Sequence, residues 1–246
     1  EATGIIAAKL NSIVEQHGPD AFAIYGSGQL LTEDYYVANK LMKGFIGTGN
    51  IDTNSRLCMS SAVVAHKRAF GEDIVPCNYN DLEHTDLLIL TGSNAAWTHP
   101  VLFQRIERAK LRNPAMKVVV VDPRKTDSCS LADLHIALKP GTDAVLFCGL
   151  LNYLAEHSAL DQQFISASTN GFEQALSAAS EWSVAQVANT CDVSLTVIEQ
   201  FFNWFATKPR AITFFSMGIN QSTSGVDKGN AIINCHLASG KIGKEG

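Results

Sequence analysis

The stretch Asp86-Leu-Leu-Ile-Leu-Thr91, which continues into Gly92-Ser-Asn94, decides the fold class. Its apolar residues run without alternation, which is typical of a strand buried on both faces of a parallel sheet. Lys117–Val121 has the same character and ends at Asp122. Pro100, between the two runs, suits the first position of a helix. Strand, helix and parallel strand in this order predict an α/β fold.

The rest of the chain repeats this alternation of short apolar runs and helical patterns. Three further strands are predicted at residues 21–25, 134–138 and 211–216, and amphipathic or apolar helices separate them. Residues 161–207 are predicted to be helical throughout. The fold class is therefore α/β with mostly parallel sheets.

Composition excludes several classes of function. The chain has 246 residues, of which 46% are hydrophobic, and a net charge of −5. It has no basic block or cationic stripe, so nucleic acid is not an expected partner. No apolar run is long enough to span a membrane, and no secretory signal is recognised at the start.

The six cysteines form no Cys-x-x-Cys pair, so neither a zinc ribbon nor an iron–sulfur binding run is predicted. Their scatter is typical of a reduced, intracellular protein. Cys58 is distinguished by its position before the predicted helix Ser60–Phe70, because a helix N-terminus favours a thiolate. A single cysteine beside apolar residues is also commonly a small packing residue.

Glycine-bearing or polar loops follow the predicted strands, where ligands bind in open parallel sheets. They comprise residues 26–29, 92–99, 122–126, 141–143 and 217–221. Glycines let a pyrophosphate approach the backbone, and helix N-termini stabilise its charge. The chain contains neither Gly-x-Gly-x-x-Gly nor a phosphate loop. Two interpretations therefore stay open, a nucleotide-dependent dehydrogenase that uses residues 26–29 and a noncatalytic α/β binding module.

The order of these segments resembles that of molybdopterin-guanine-dinucleotide oxidoreductases of the dimethyl sulfoxide reductase family. The resemblance rests on Gly-Ser-Asn-Ala-Ala-Trp-Thr-His-Pro, Val-Asp-Pro-Arg-Lys-Thr and Lys-Pro-Gly-Thr-Asp-Ala taken together. Asn-Ser-Arg-Leu-Cys-Met from Asn54 and Met-Gly-Ile-Asn-Gln from Met217 narrow it to bacterial nitrate reductases. The run after Val121 is similar to that of the assimilatory, cytoplasmic enzymes.

The resemblance implies a role for each motif residue. Cys58 would be the thiolate ligand of molybdenum, and Met217 and Gln221 would line the catalytic pocket with it. Gln29 and Asn54 would contact the pterin. Arg124 would pair with pyrophosphate, Asp143 would accept from guanine, and Asp122 would serve the ribose or another partner. The remaining cofactor-binding residues are Thr91, Gly92, Ser93, Asn94, Ala95, Ala96, Trp97, Thr98, Pro123, Lys125, Thr126, Gly141 and Thr142.

The resemblance also implies an architecture of two interleaved Rossmann-like lobes. Residues 1–57 with 211–246 would form the first lobe, and residues 58–210 would form a second, dinucleotide-binding-like lobe. The strands at residues 22–25 and 212–215 would then share one sheet.

The implied activity is nitrate assimilation by a molybdenum-dependent oxidoreductase that reduces nitrate to nitrite by oxygen-atom transfer. Its cofactor would be molybdenum with two molybdopterin guanine dinucleotides. Electron transfer from a donor protein or domain would pass through a [4Fe–4S] cluster whose ligands this chain lacks. The chain would be a middle segment of a longer cytoplasmic subunit, with the rest of that subunit as a partner. Another oxo-transferase or a formate dehydrogenase is the alternative within the family.

Overall fold

The computed structural model describes all 246 residues except for the side chain of Arg56. The chain forms two compact units, residues 1–59 and residues 60–246. Across the described residues, no helix has both the length and the apolar character to cross a membrane.

The first unit contains a small parallel sheet between helices. Its elements are α1 (Ala2–His17), β1 (Ile24–Gly26), α2 (Thr32–Asn39), a π-helix (Lys40–Ile46), β2 (Ile51–Thr53) and α3 (Ser55–Cys58). Strands β1 and β2 pair in parallel, with Ile24 opposite Ile51. Gly47 ends the π-helix in the left-handed conformation, with φ of 86°, which only glycine adopts without strain.

The second unit begins with helices that lead into its central sheet. Its first elements are α4 (Ser60–Phe70), α5 (Asp81–His84), β3 (Leu87–Thr91), α6 (Ala95–Thr98), α7 (Pro100–Arg112), β4 (Lys117–Val121) and β5 (Leu134–Ile136). A helical segment follows, with α8 (Asp143–Glu156), α9 (Gln162–Ser168), α10 (Phe172–Ala179), α11 (Val184–Cys191) and α12 (Leu195–Thr207). The last elements are β6 (Ala211–Phe215), α13 (Met217–Asn220) and α14 (Gly225–Ala238).

Four parallel strands form the sheet of the second unit, in the order β5-β4-β3-β6. Side chains of β3 and β4 alternate between its two faces, as the pleat requires. Leu87 and Ile89 pack into a core with α8, α11, α12 and α14. Leu88 and Leu90 pack on the other face, against Ile106 of α7. Both faces are covered, which explains the continuous apolar runs in the sequence.

The predicted α/β class with parallel sheets is confirmed, but the predicted pairing of the strands at residues 22–25 and 212–215 is wrong. Strand β1 pairs with β2, whereas β6 pairs with β3, with Leu87 opposite Ala211. Residues 211–246 accordingly lie in the same compact unit as residues 60–210, rather than with residues 1–57. The local pattern of β6 specified a buried strand but not its partner.

Candidate functional site

The strand order places a topological switch point in the four-stranded sheet, between β3 and β6. The chain moves from β3 to β4 and β5 in one direction, and then returns through helices to β6 on the other side of β3. In open α/β sheets, ligands bind at such a point, outside the carboxyl ends of the strands. The loops after β3 and β6 flank this point.

Gly92 and Gly218 bring these two loops into contact. The amide of Gly218 donates to the carbonyl of Gly92 at 2.9 Å. A Cβ on Gly92 would lie 2.8 Å from the Cα of Gly218, and a Cβ on Gly218 would lie 2.6 Å from the Cα of Gly92. Backbones can approach this closely only without side chains, so the two glycines let the loops after β3 and β6 pack together at the switch point.

The loops after β3 and β4 are joined by hydrogen bonds. Ser128 donates from its hydroxyl to Oδ1 of Asn94 at 3.0 Å and accepts from the amide of Ala96 at 3.1 Å. The indole of Trp97 donates to Oδ2 of Asp127 at 2.6 Å, although the Trp97 side chain is exposed. These bonds fix Asn94 and Trp97, both predicted as cofactor contacts, relative to residues 122–126.

The loop after β4 presents cations beside an acid. Asp122 accepts from the amide of Arg124 at 2.8 Å through Oδ1, which closes a tight turn. Arg124 and Lys125 are exposed. Exposed cations at the carboxyl edge of a parallel sheet suit a pyrophosphate.

Residues 141–143 lie at the start of α8, where backbone N–H groups of the first turn lack helical partners. Thr142 donates from its hydroxyl to the carbonyl of Lys139 at 2.7 Å. Asp143 is buried, and its Oδ2 lies 2.8 Å from Nζ of Lys228 in α14. The predicted guanine acceptor thus already has a charged partner.

Three buried hydroxyl groups near this edge have no hydrogen-bond partner in the structure, those of Thr91, Ser93 and Thr126. A buried hydroxyl without a partner costs free energy. Unsatisfied hydroxyl groups at this edge fit a segment that binds a polar ligand such as a dinucleotide.

The remaining predicted residues of the second unit lie after β6. Met217 begins the short helix α13 and is 41% exposed. Gln221 follows this helix and is exposed, and its amide donates to the carbonyl of Met217 at 2.8 Å. Both therefore lie in the loop that starts at the switch point.

Gln29, Asn54 and Cys58 follow the carboxyl ends of β1 and β2 in the first unit. Oδ1 of Asn54 accepts from the amide of Gly28 at 2.5 Å and so joins the two loops. A Cβ on Gly28 would lie 2.9 Å from that oxygen, so glycine is needed for this contact. Gln29 is exposed in the same turn.

Cys58 ends the one-turn helix α3, and its amide donates to the carbonyl of Asn54 at 2.9 Å. The predicted helix behind it is confirmed at Ser60–Phe70, two residues further along the chain. Cys58 is partly buried and its thiol is not in a disulfide. By contrast, burial raises the pKa of the Cys235 thiol well above its usual value, which makes Cys235 a packing residue.

Three residues with a place at these loops were not predicted from the sequence: Asp127, Ser128 and Lys228. Asp127 and Ser128 directly follow the predicted segment 122–126. The burial of Lys228 could have been predicted, because helical spacing places it on the same face as Ala231, Ile232 and Cys235, which are all buried.

Comparisons with known proteins agree with the sequence motifs. The chain is 56% identical over 246 residues to a nitrate reductase of Klebsiella oxytoca, of which it covers 28%. It is 37% identical to a periplasmic nitrate reductase of Desulfovibrio desulfuricans and 36% identical to an assimilatory nitrate reductase catalytic subunit of Bacillus subtilis. It covers 34% of each of these two, so the chain spans about a third or less of these relatives.

The fold has a counterpart among solved structures. Acetylene hydratase from Pelobacter acetylenicus matches 98% of this chain, and 32% of its own, with a TM-score of 0.71 and 23% identity. That likeness concerns the fold alone. The family description "Molybdopterin oxidoreductase" matches residues 1–246. The chain therefore belongs to the molybdopterin oxidoreductase family.

Proposed function

We propose that this chain is a cofactor-binding segment of a molybdenum-dependent nitrate reductase that reduces nitrate to nitrite. The observation that carries the proposal is the close packing of Gly92 and Gly218, which brings two loops together at the switch point of the four-stranded sheet. Loops at a switch point are where ligands bind in open α/β sheets, and the loop after β4 adds the exposed cations Arg124 and Lys125, which suit a pyrophosphate. Identity of 56% to a nitrate reductase supports the choice of substrate.

The proposed cofactor is molybdenum with two molybdopterin guanine dinucleotides. The loops at residues 91–98, 122–126 and 141–143 would hold one guanosine end and its pyrophosphate, while Gln29 and Asn54 would hold pterin atoms. Cys58 supplies a soft thiolate to the metal. When bound, the cofactor supplies the metal centre at which oxygen-atom transfer from nitrate leaves nitrite.

The residues of this chain would bind and orient the cofactor and enclose the substrate. Asn54 fixes the turn that carries Gln29 through its bond to Gly28, so the two pterin contacts are held together. Met217 and Gln221 line the substrate pocket. The proposed partners are a donor protein or domain and a [4Fe–4S] cluster, which would supply electron transfer and for which no ligand run is predicted in this chain.

We place the protein in the cytoplasm, in nitrate assimilation. The support is the resemblance of residues 122–126 to assimilatory enzymes. The overall sequence identity does not distinguish a cytoplasmic from a periplasmic enzyme, since the periplasmic and the assimilatory relative are 37% and 36% identical to this chain.

The test replaces Cys58 by alanine in the native polypeptide and measures molybdenum content and dye-linked nitrate reduction. We expect activity below about 1% of the parent, because loss of a metal ligand exceeds the roughly 10–100-fold cost of losing its supporting partner. Cys77→Ala is the control, since Cys77 is exposed and outside the predicted site. Full nitrate turnover by Cys58→Ala would remove this cysteine from the mechanism. If the parent prefers formate, or an oxygen-atom donor other than nitrate, the result would favour a formate dehydrogenase or another oxo-transferase.

A further inference from the structure

A lysine is buried in the first turn of α14. Lys228 is 3% exposed, although lysine side chains are almost never fully buried without a partner. A cation in the first turn of a helix also opposes the helix dipole. The stability of α14 therefore does not explain this residue, and its contact has to be sought on another element.

That contact is Asp143, the first residue of α8. Nζ of Lys228 lies 2.8 Å from Oδ2 of Asp143, and the two side chains are 4% and 10% exposed. A buried ion pair is a weak source of stability, because desolvation of both charges offsets their attraction. It does fix the geometry of both groups.

The place of this pair in the fold connects it to the proposed nucleotide site. The two outer strands of the sheet are β5 and β6. Helix α8 follows β5 in the chain, and α14 follows β6. The pair therefore joins residues 141–143 to the helix that follows the switch-point loop. It lies at the starts of both helices, toward the carboxyl edge of the sheet.

We propose that Lys228 is a positioning residue that sets the base preference of the nucleotide site through Asp143. The inference rests on the proposed function. Nζ of Lys228 contacts Oδ2 of Asp143, and in the proposed site the carboxylate of Asp143 would accept from the base. A carboxylate only accepts hydrogen bonds, and it matches the N–H groups of guanine, whereas the corresponding edge of adenine includes an acceptor. Lys228 also supplies the counter-charge that a buried carboxylate requires.

The experiment measures binding of guanosine diphosphate, adenosine diphosphate and inorganic pyrophosphate by calorimetry to the chain and its Lys228→Met and Lys228→Arg variants. We expect the ratio of the affinity for guanosine diphosphate to that for adenosine diphosphate to fall about tenfold in Lys228→Met. This loss is equivalent to one charge-assisted hydrogen bond. Affinity for pyrophosphate should stay unchanged, because the proposal assigns pyrophosphate to Arg124 and the base to Asp143. Lys228→Arg should keep the parent ratio. If Lys228→Met does not fold, Lys228→Gln, which removes the positive charge beside Asp143, takes its place and should lower the preference for guanine in the same direction.

Different results would overturn the role of Lys228 and the guanosine site. A parent preference for guanine that persists in Lys228→Met or Lys228→Gln would overturn the role of Lys228 alone. An equal fall in affinity for all three ligands would also overturn it, because that result indicates a merely structural pair. Equal binding of the two nucleotides by the parent would overturn both this inference and the guanosine site.

Discussion

At the residue scale, the absence of a side chain decides the shape of the proposed site. Gly92 has φ of 55° and lies against the backbone of Gly218. Neither position has room for a Cβ. Two loops that are far apart in the sequence can meet at the switch point only because both carry glycine there.

Alanine at Gly92 tests this close approach. We expect Gly92→Ala to lower the free energy of unfolding by about 1–3 kcal/mol more than Gly171→Ala, the cost of overpacking. Gly171 is the matched control because its φ is 76°, yet the nearest atom to an added Cβ is a Gln174 side-chain oxygen at 3.8 Å. Urea unfolding of both variants measures the difference. Equal losses would mean that the backbone strain alone matters.

A buried histidine predicts how stability depends on pH. Burial, and secondarily the charge of Lys241, lowers the pKa of His236 from 6.5 to about 4. Its Nε2 lies 2.8 Å from the hydroxyl of Thr213. Because the folded pKa is the lower one, the stabilisation is complete above pH 6.5 and is lost as pH falls toward 4.

Between pH 6.5 and pH 4, we expect the unfolding free energy of the parent to fall by about 3 kcal/mol more than that of His236→Gln. Each pKa unit of the shift corresponds to about 1.4 kcal/mol. Denaturant unfolding at a series of pH values measures this. If the unfolding free energies of the parent and of His236→Gln change with pH in parallel, His236 has the same pKa in the folded and the unfolded state.

At the element scale, the sequence predicted the long buried strands but not the short or polar elements. Lys117–Val121 was predicted at its observed bounds because its run of valines is covered on both faces. Strand β2, at Ile51–Thr53, was missed because three residues carry no periodicity. The partner of β6 was predicted wrongly, since a buried pattern states that a strand is covered but not by which neighbour.

An ion pair joins the amino ends of β3 and β6. Arg210 donates to both carboxylate oxygens of Asp86, at 2.8 and 2.9 Å. The hydrogen bond from Arg210 lowers the pKa of Asp86. The contribution of Asp86 is therefore present above about pH 4, the unfolded value, and is lost as pH falls below it.

We expect Arg210→Met to cost about 1 kcal/mol at pH 7, because the Arg210 side chain is 40% exposed and solvent weakens the pair. The cost should shrink below pH 4. Arg68→Met is the control, as its pair with Asp227 has side chains 57% and 72% exposed. Thermal unfolding compares the variants, and equal costs for both would exclude a specific role for the Asp86 pair.

At the scale of the whole molecule, the order of elements predicted that the loops at residues 92–99 and 122–126 follow neighbouring parallel strands, as β3 and β4 are. The loop at residues 217–221 was predicted in the other lobe, whereas it follows β6, which pairs with β3. The ties between them could not be predicted. Ser128 and Lys228 act through contacts between side chains distant in sequence, which only the three-dimensional structure reveals.

The central claim is that the carboxyl edge of the four-stranded sheet is a guanosine site. Titration of the chain with guanosine diphosphate, followed by amide chemical shifts, tests it most directly. We expect weak binding, about millimolar, or roughly −4 kcal/mol. Shifts should be confined to residues 92–98, 122–126 and 141–143, and Asp143→Ala should weaken them. An equal response to adenosine diphosphate, or shifts elsewhere in the chain, would contradict the account.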